Sequence, residues 1–261
     1  MKKLKTILGR KNYQRLKRFY LAICSIPYGF NLNRLARLYK SDKYGKHFYT
    51  IHYQMHFRKF KFKRVTLFEI GVGGYHFPDI GANSLRMWKR YFPFGKIASL
   101  DIYDKSFFEE RRIKIFQGSQ TNEQVLNKII DQIGEPTIII DDGSHINKHV
   151  IDTFKILFPK LKNGGIYVIE DTETSYWPDY GGDSENLSNP TTAMNFFKNL
   201  VDGLNHQEFL KQDYKPSYFD KNIVSIHFYH NLIFIYKDLN NEPSSVDPFN
   251  EKSTMKDPIY I

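Results

Sequence analysis

One cysteine, Cys24, stands in 261 residues. A lone thiol excludes an internal disulfide framework and any cysteine-rich zinc centre, and it fits a reducing compartment. Long apolar runs are missing too. No stretch approaches the roughly 20 residues that a membrane-spanning helix needs. At the amino end, Lys and Arg interrupt the apolar residues, which is unlike the continuous core of a secretory signal. A cytoplasmic protein is the expectation. The sequence also has no internal repeat, no low-complexity tract, no phosphate loop of the GxxxxGK[ST] type and no complete GxGxxG.

Acidic residues are nearly absent from the first quarter. Residues 1 to 64 carry 18 Lys/Arg against one acid, Asp42, a net of +17; the remaining 20 Lys/Arg face 27 acids, a net of −7, for +10 overall. The basic character therefore belongs to the amino-terminal segment. In "MKKLKTILGRKNYQRLKRFYLAI", Leu4, Ile7, Leu8, Leu16, Phe19, Tyr20 and Ile23 recur at helical spacing between the cations, with an interruption at Gly9. Such a helix packs on its own domain or on a second copy in a homo-oligomer, or makes peripheral contact with an anionic membrane. Nucleic acid is not expected, since no recognised binding motif accompanies the charge.

What is present, at 41% hydrophobic and 25% charged residues, suits a sizeable core. From Arg64 onward, strands alternate with helices. "VTLFEI" (65–70), "KIASLDI" (96–102), "RIKIF" (112–116), "TIIIDD" (137–142) and "IYVIED" (166–171) read as strands. "SLRMWKRYF", "NEQVLNKIIDQI", "INKHVIDTFKILFPKL" and a segment near 191–204 read as helices, the third closed by "NGG". "IVSIHFYHNLIFIYK" (223–237) reads as two strands turning at His230 and Asn231. The expectation is an α/β, Rossmann-like fold: a seven-stranded, mostly parallel sheet with an antiparallel edge hairpin and helices on both faces. The expected divisions are a basic helical segment (1–63), the sheet domain (64–239) and a loosely held tail (240–261).

Open parallel sheets bind ligands at the carboxyl ends of their strands. Those ends here read Glu69-Ile-Gly71-Val-Gly73, then Asp101, then "QGSQ" with Ser119 and Gln120, then Asp141 and Asp142, then Glu170 and Asp171. Gly71 and Gly73 let backbone approach a ligand, and an acid ending the second strand is placed to accept from ribose hydroxyls. With Glu69 on an otherwise apolar strand, the set fits a ligand with an amino group and an adenosine, S-adenosylmethionine, better than NAD. An ordinary strand-to-helix turn would explain the glycines alone. Asp142, Glu170 and Asp171 are hard oxygen donors suited to Mg²⁺, and crowded carboxylates need a cation or a shared proton. His145, three residues after Asp142, has the side-chain type for general-base work. His149, one helical turn on, is a rival metal ligand.

"LARLYKSDKYGKHFYTIHY", "LFEIGVGGY", "SLRMWKRYFPFGKIASLDIYDKS", "IIIDDGSHINKHVI", "GGIYVIEDTETSYWPDYGG", "VDGLNH" and "IHFYHNLIFI" together resemble the macrocin or demethylmacrocin O-methyltransferase family, over roughly residues 35 to 237. The resemblance implies a class I methyltransferase fold, S-adenosylmethionine as donor and Mg²⁺ as cofactor. It implies methylation of a sugar hydroxyl in antibiotic or polysaccharide biosynthesis. Asp142, Glu170 and Asp171 would be the metal ligands and His145 the base. Tyr176 and Trp177 in "TSYWPDYGG" offer aromatic faces to a sugar, or simply pack the loop, and "SDKYGKHFY" (41–49) folds over the donor or anchors the basic segment. Two other classes stand beside this reading: a metal-dependent hydroxylase or oxidase, which needs His149 to join Asp142 and His145, and a non-catalytic nucleotide-binding module.

Overall fold

The computed structural model describes residues 2–211 and 213–244. Its seven strands are ordered β3-β2-β1-β4-β5-β7-β6 in one sheet, with helices between them, as the strand and helix alternation predicts. The chain divides into two compact units, Met1–Ser144 and His145–Ile261.

The first unit holds α1 (Lys2–Cys24), α2 (Leu32–Tyr39), α3 (Thr50–Phe57), β1 (Thr66–Ile70), α4 (Asn83–Tyr91), β2 (Lys96–Asp101), β3 (Ile113–Gln117), α5 (Glu123–Ile133) and β4 (Ile138–Asp141). β1 pairs in parallel with β2 and β4, and β2 in parallel with β3. The registers Ile70↔Leu100, Ile70↔Asp141 and Asp101↔Gln117 bring the four carboxyl ends level. α1 is interrupted at Gly9 (φ 68°, ψ 160°), as its sequence predicts. Asn31 and Asn122 cap α2 and α5 by accepting from Arg34 N and Val125 N, which satisfies donors the helices leave open. Tyr53 and Phe57 of α3 stack edge-on against Trp88 of α4 at 4.9 and 5.7 Å, all three fully buried. Aromatic pairs of this kind add about 0.5–1.5 kcal/mol each beyond their area. Thus α3, which precedes the sheet, shares a core with α4. Arg112, at φ 71°, donates to the carbonyls of Lys89, Phe92 and Gly95 and closes the carboxyl end of α4.

The second unit holds α6 (Asn147–Leu157), β5 (Ile166–Glu170), α7 (Ala193–Asn199), α8 (Tyr218–Asn222), β6 (Ile223–Tyr229) and β7 (Leu232–Lys237). β7 runs antiparallel to both β5 and β6, and Asn231 turns the hairpin at φ 59°. Phe154 of α6 centres an aromatic core with Phe158, Tyr167, Phe197 and Phe219, at 4.9 to 5.3 Å between ring centroids. Two expected helices are shorter than the periodicity suggests. α6 gives way to a tight turn at Phe158–Lys160, because Pro159 has no N–H to continue the ladder. α7 stops at Asn199, before a separate run of tight turns at Asp202–Glu208. Of the expected tail, residues 245–261 lie outside the described residues.

Candidate active site

Within the first unit the strand ends carry a connected set of polar groups. β1 is apolar except for Glu69, which has no solvent exposure. Ser84 Oγ and Trp88 Nε1 each donate to its Oε2 at 3.1 Å. Lys43 Nζ lies 3.2 Å from Oε1. Burial pushes the Glu69 carboxyl up to about 7, partly offset by the Lys43 charge. The same ammonium donates to Asp142 Oδ2 at 2.8 Å, and Lys43 itself is only 1% exposed. Glu69, read from sequence as a donor-binding acid, thus has three protein groups around its carboxylate. Lys43 lies in "SDKYGKHFY", a segment the sequence marks without marking the lysine itself.

The two glycines after β1 do different work. Gly71 (φ 94°) leaves no room for a side chain, since a Cβ there would fall 2.0 Å from the Asp142 carbonyl. That close approach is to the chain's own β4 loop. Gly73 (φ 78°) has nothing within 4 Å of where a Cβ would stand, so its backbone borders open space. Asp101, ending β2, accepts from Val72 N through Oδ2 and from Tyr103 N through Oδ1, both at 2.9 Å. Its carboxylate is therefore fixed in direction beside the glycine loop. Gln120 braces the loop after β4: its Oε1 accepts from Ser144 N at 2.8 Å and its Nε2 donates to Asp141 Oδ1 at 3.3 Å. A Cβ at Gly143 would meet that Oε1 at 2.3 Å, so a side chain there would displace the Gln120 brace. Ser119 Oγ pairs with Thr121 Oγ1 at 3.0 Å.

Within the second unit, His145 (φ 57°) and Asp171 (φ 53°) both adopt left-handed backbone. Such a conformation costs a non-glycine residue about 1 kcal/mol or more and persists only where the surroundings hold it. His145 Nε2 lies 3.7 Å from Asp171 Oδ2. Glu170 ends β5 and is 4% exposed, while the side chain of Asp171 keeps 19%. The loop that follows is clamped by Asn147, another residue not singled out from sequence. Its Nδ2 donates to the carbonyls of Thr174 and Tyr180 at 3.0 and 2.9 Å, and its Oδ1 accepts from Ala193 N at 2.7 Å. On that loop Tyr176 and Trp177 are 38% and 49% exposed, and the Trp177 ring is 5.9 Å from Tyr180. His149 belongs to no group of three histidine or carboxylate side chains close enough to share an ion, among the described residues.

The family model of rhamnosyl O-methyltransferases and CmcI matches residues 96–221. Demethylmacrocin O-methyltransferase of Streptomyces fradiae is 46% identical over 214 residues, covering 81% of this chain and 54% of that protein. Mycinamicin VI 2''-O-methyltransferase of Micromonospora griseorubida is 45% identical with the same coverage. The solved structure of the MycE methyltransferase from the mycinamycin biosynthetic pathway, in complex with Mg, SAH and mycinamycin VI, is similar at a TM-score of 0.78 and 45% identity, over 82% of this chain and 55% of that one. The chain spans about half the length of the curated relatives it matches. Identity of this level across four-fifths of the sequence makes the chain a member of the macrocin-type O-methyltransferase family.

Proposed function

We propose that the protein is an S-adenosylmethionine- and Mg²⁺-dependent O-methyltransferase acting on a sugar hydroxyl of a glycosylated natural product or glycan. The observation that carries this reading is the row of acids at the strand ends, Asp101, Asp141 with Asp142, and Glu170 with Asp171, in a member of this family. The relatives are named as O-methyltransferases, the matching family model is named for a rhamnosyl O-methyltransferase, and the MycE structure holds Mg and SAH.

The residues fit both groups. Asp101 borders a glycine loop whose Gly73 opens onto free space, which suits an adenosine with its ribose against the carboxylate. Asp142, Glu170 and Asp171 supply only carboxylate oxygens, the donor set that Mg²⁺ prefers. A bound Mg²⁺ lowers the pKa of a coordinated hydroxyl, and S-adenosylmethionine supplies the methyl on a sulfonium. The chain's own work is positioning and proton transfer. His145 takes the hydroxyl proton, and Asp171, 3.7 Å from Nε2, stabilises the imidazolium that results. Lys43, donating to Oδ2, holds Asp142 in direction. Tyr176 and Trp177 offer aromatic faces to the sugar ring, on a loop that Asn147 fixes. No helix among the described residues is long and apolar enough to cross a membrane. We assign the reaction to the cytoplasm, with α1 available for reversible contact at an anionic membrane face.

Calorimetric titration of S-adenosylmethionine and S-adenosylhomocysteine, with and without Mg²⁺, is the test. Micromolar binding is expected in the wild type and lost in Asp101→Ala. His145→Ala is expected to keep donor binding while methyl transfer falls about 10²- to 10⁴-fold. Absence of donor binding under every condition would return the protein to the interaction-module reading. Tight iron binding with oxygen consumption would favour the oxidase.

A further inference from the structure

Lys105, in the first unit, is a buried cation outside the acid row. It is 1% exposed, and its Nζ donates to the backbone carbonyls of Phe77 at 2.7 Å and Ile80 at 3.1 Å. Both carbonyls belong to the loop 74–81, which follows the glycine turn of Gly71 and Gly73. That loop leaves the turn and returns to it, since Ala82 N donates to the Val72 carbonyl at 2.7 Å. Its two arms touch backbone to backbone: a Cβ at Gly81 would fall 2.5 Å from the Gly73 oxygen, and one at Gly74 only 2.2 Å from the Ile80 oxygen. Apolar packing does little to hold the loop, because Tyr75, Phe77 and Ile80 are all exposed.

The segment that carries Lys105 also carries Asp101, at the end of β2. Asp101 Oδ2 accepts from Val72 N at 2.9 Å, inside the glycine turn, while Lys105 takes two carbonyls at the far side of the loop. Residues 101–105 therefore grip the turn and its loop at two points. Burial holds the Lys105 ammonium below the usual lysine range, and the Asp101 charge opposes that shift. An apolar side chain would fill the same space without desolvating a charge, so what the ammonium adds is the direction of its two hydrogen bonds. Given the donor site read at Asp101 and Gly73, on which this inference rests, we propose that Lys105 is a positioning residue for the methyl donor. By holding the Phe77 and Ile80 carbonyls it keeps the loop closed on Gly73, so the open space there has its binding shape before the donor arrives. The cost of ordering the loop is then met on folding and not on binding.

The test combines calorimetric titration of S-adenosylhomocysteine with amide hydrogen exchange, on the full-length protein. Lys105→Met keeps the length of the stem and removes the ammonium. It is expected to weaken S-adenosylhomocysteine about tenfold. Without ligand, it should speed exchange at residues 74–82 about tenfold or more while β1, β2 and β4 keep their protection. Saturating S-adenosylhomocysteine should return most of the lost protection, because the donor then orders the loop in place of the lysine. Lys105→Gln, whose shorter amide still donates, should fall between wild type and Lys105→Met in both measurements. Lys96→Met, at an exposed position at the opposite end of β2, should change neither. A merely structural lysine would give faster exchange throughout the first unit with donor affinity unchanged, and that result overturns the proposal. So does weaker binding with exchange at residues 74–82 unaltered. Absence of S-adenosylhomocysteine binding in the wild type would overturn the donor reading and the role of Lys105 with it. Wild-type binding that Lys105→Met leaves unchanged would overturn the role of Lys105 alone.

Discussion

Lys43 is almost fully buried between two carboxylates, Glu69 at 3.2 Å and Asp142 at 2.8 Å. The acids were legible because a carboxylate on an apolar strand, or two at its end, needs a reason. The lysine was not, because 99 positions separate it from Asp142 and one cation among the 18 of the basic segment carries no mark. The left-handed backbone of His145 and Asp171 was equally hidden, since neither is glycine. Breaking a buried pair from one side costs about 3–5 kcal/mol, as it strands the remaining charge. Lys43→Met is therefore expected to destabilise the protein by about 3 kcal/mol in denaturant unfolding. Adding Glu69→Gln to it should cost less than the sum of the two single changes by about 1 kcal/mol or more. Strict additivity would show that the two side chains are not coupled.

At the scale of elements, the strands were readable to within a residue or two, because short apolar runs bounded by Gly and acid have few alternatives in an α/β chain. Helix ends were less so: periodicity continues past Leu157, but Pro159 stops the ladder. The hold on the "TSYWPDYGG" loop was not legible either. Asn147 opens α6, and its side chain reaches three backbone groups, of Thr174, Tyr180 and Ala193, in two other segments. An amide that satisfies both donors and its acceptor inside the protein is a clamp, and removing it leaves buried backbone groups unpaired. Asn147→Ala should accelerate amide hydrogen exchange across residues 174–193 by about tenfold or more, while the amides of β1 to β4 keep their protection. A uniform change over the whole chain, or none, would contradict the clamp.

For the whole molecule, the segregation of charge was the most visible property of the sequence, yet charge alone does not say which cations meet water. The structure separates them. α2 buries Leu32, Leu35 and Ala36, and α3 buries Tyr53 and Phe57 against Trp88 of α4, whereas α1 keeps Leu16, Phe19, Tyr20 and Ile23 between 48% and 65% exposed, with Arg15 and Lys17 exposed beside them. An apolar stripe on so basic a helix is poorly suited to a second copy of itself, because an isologous contact would bring the eight Lys/Arg of α1, with no acid among them, against the same eight. The anionic membrane face proposed above as a partner of α1 would satisfy both features, burying the stripe at the headgroup level and neutralising the cations. Co-sedimentation with phosphatidylglycerol vesicles is expected at low salt and should weaken toward physiological ionic strength, where the Debye length is about 8 Å. Phe19→Ser with Ile23→Ser should reduce it about tenfold or more while leaving the melting temperature in place, since both side chains are exposed. Equal binding to neutral phosphatidylcholine vesicles, or no effect of the two substitutions, would rule out α1 as the contact.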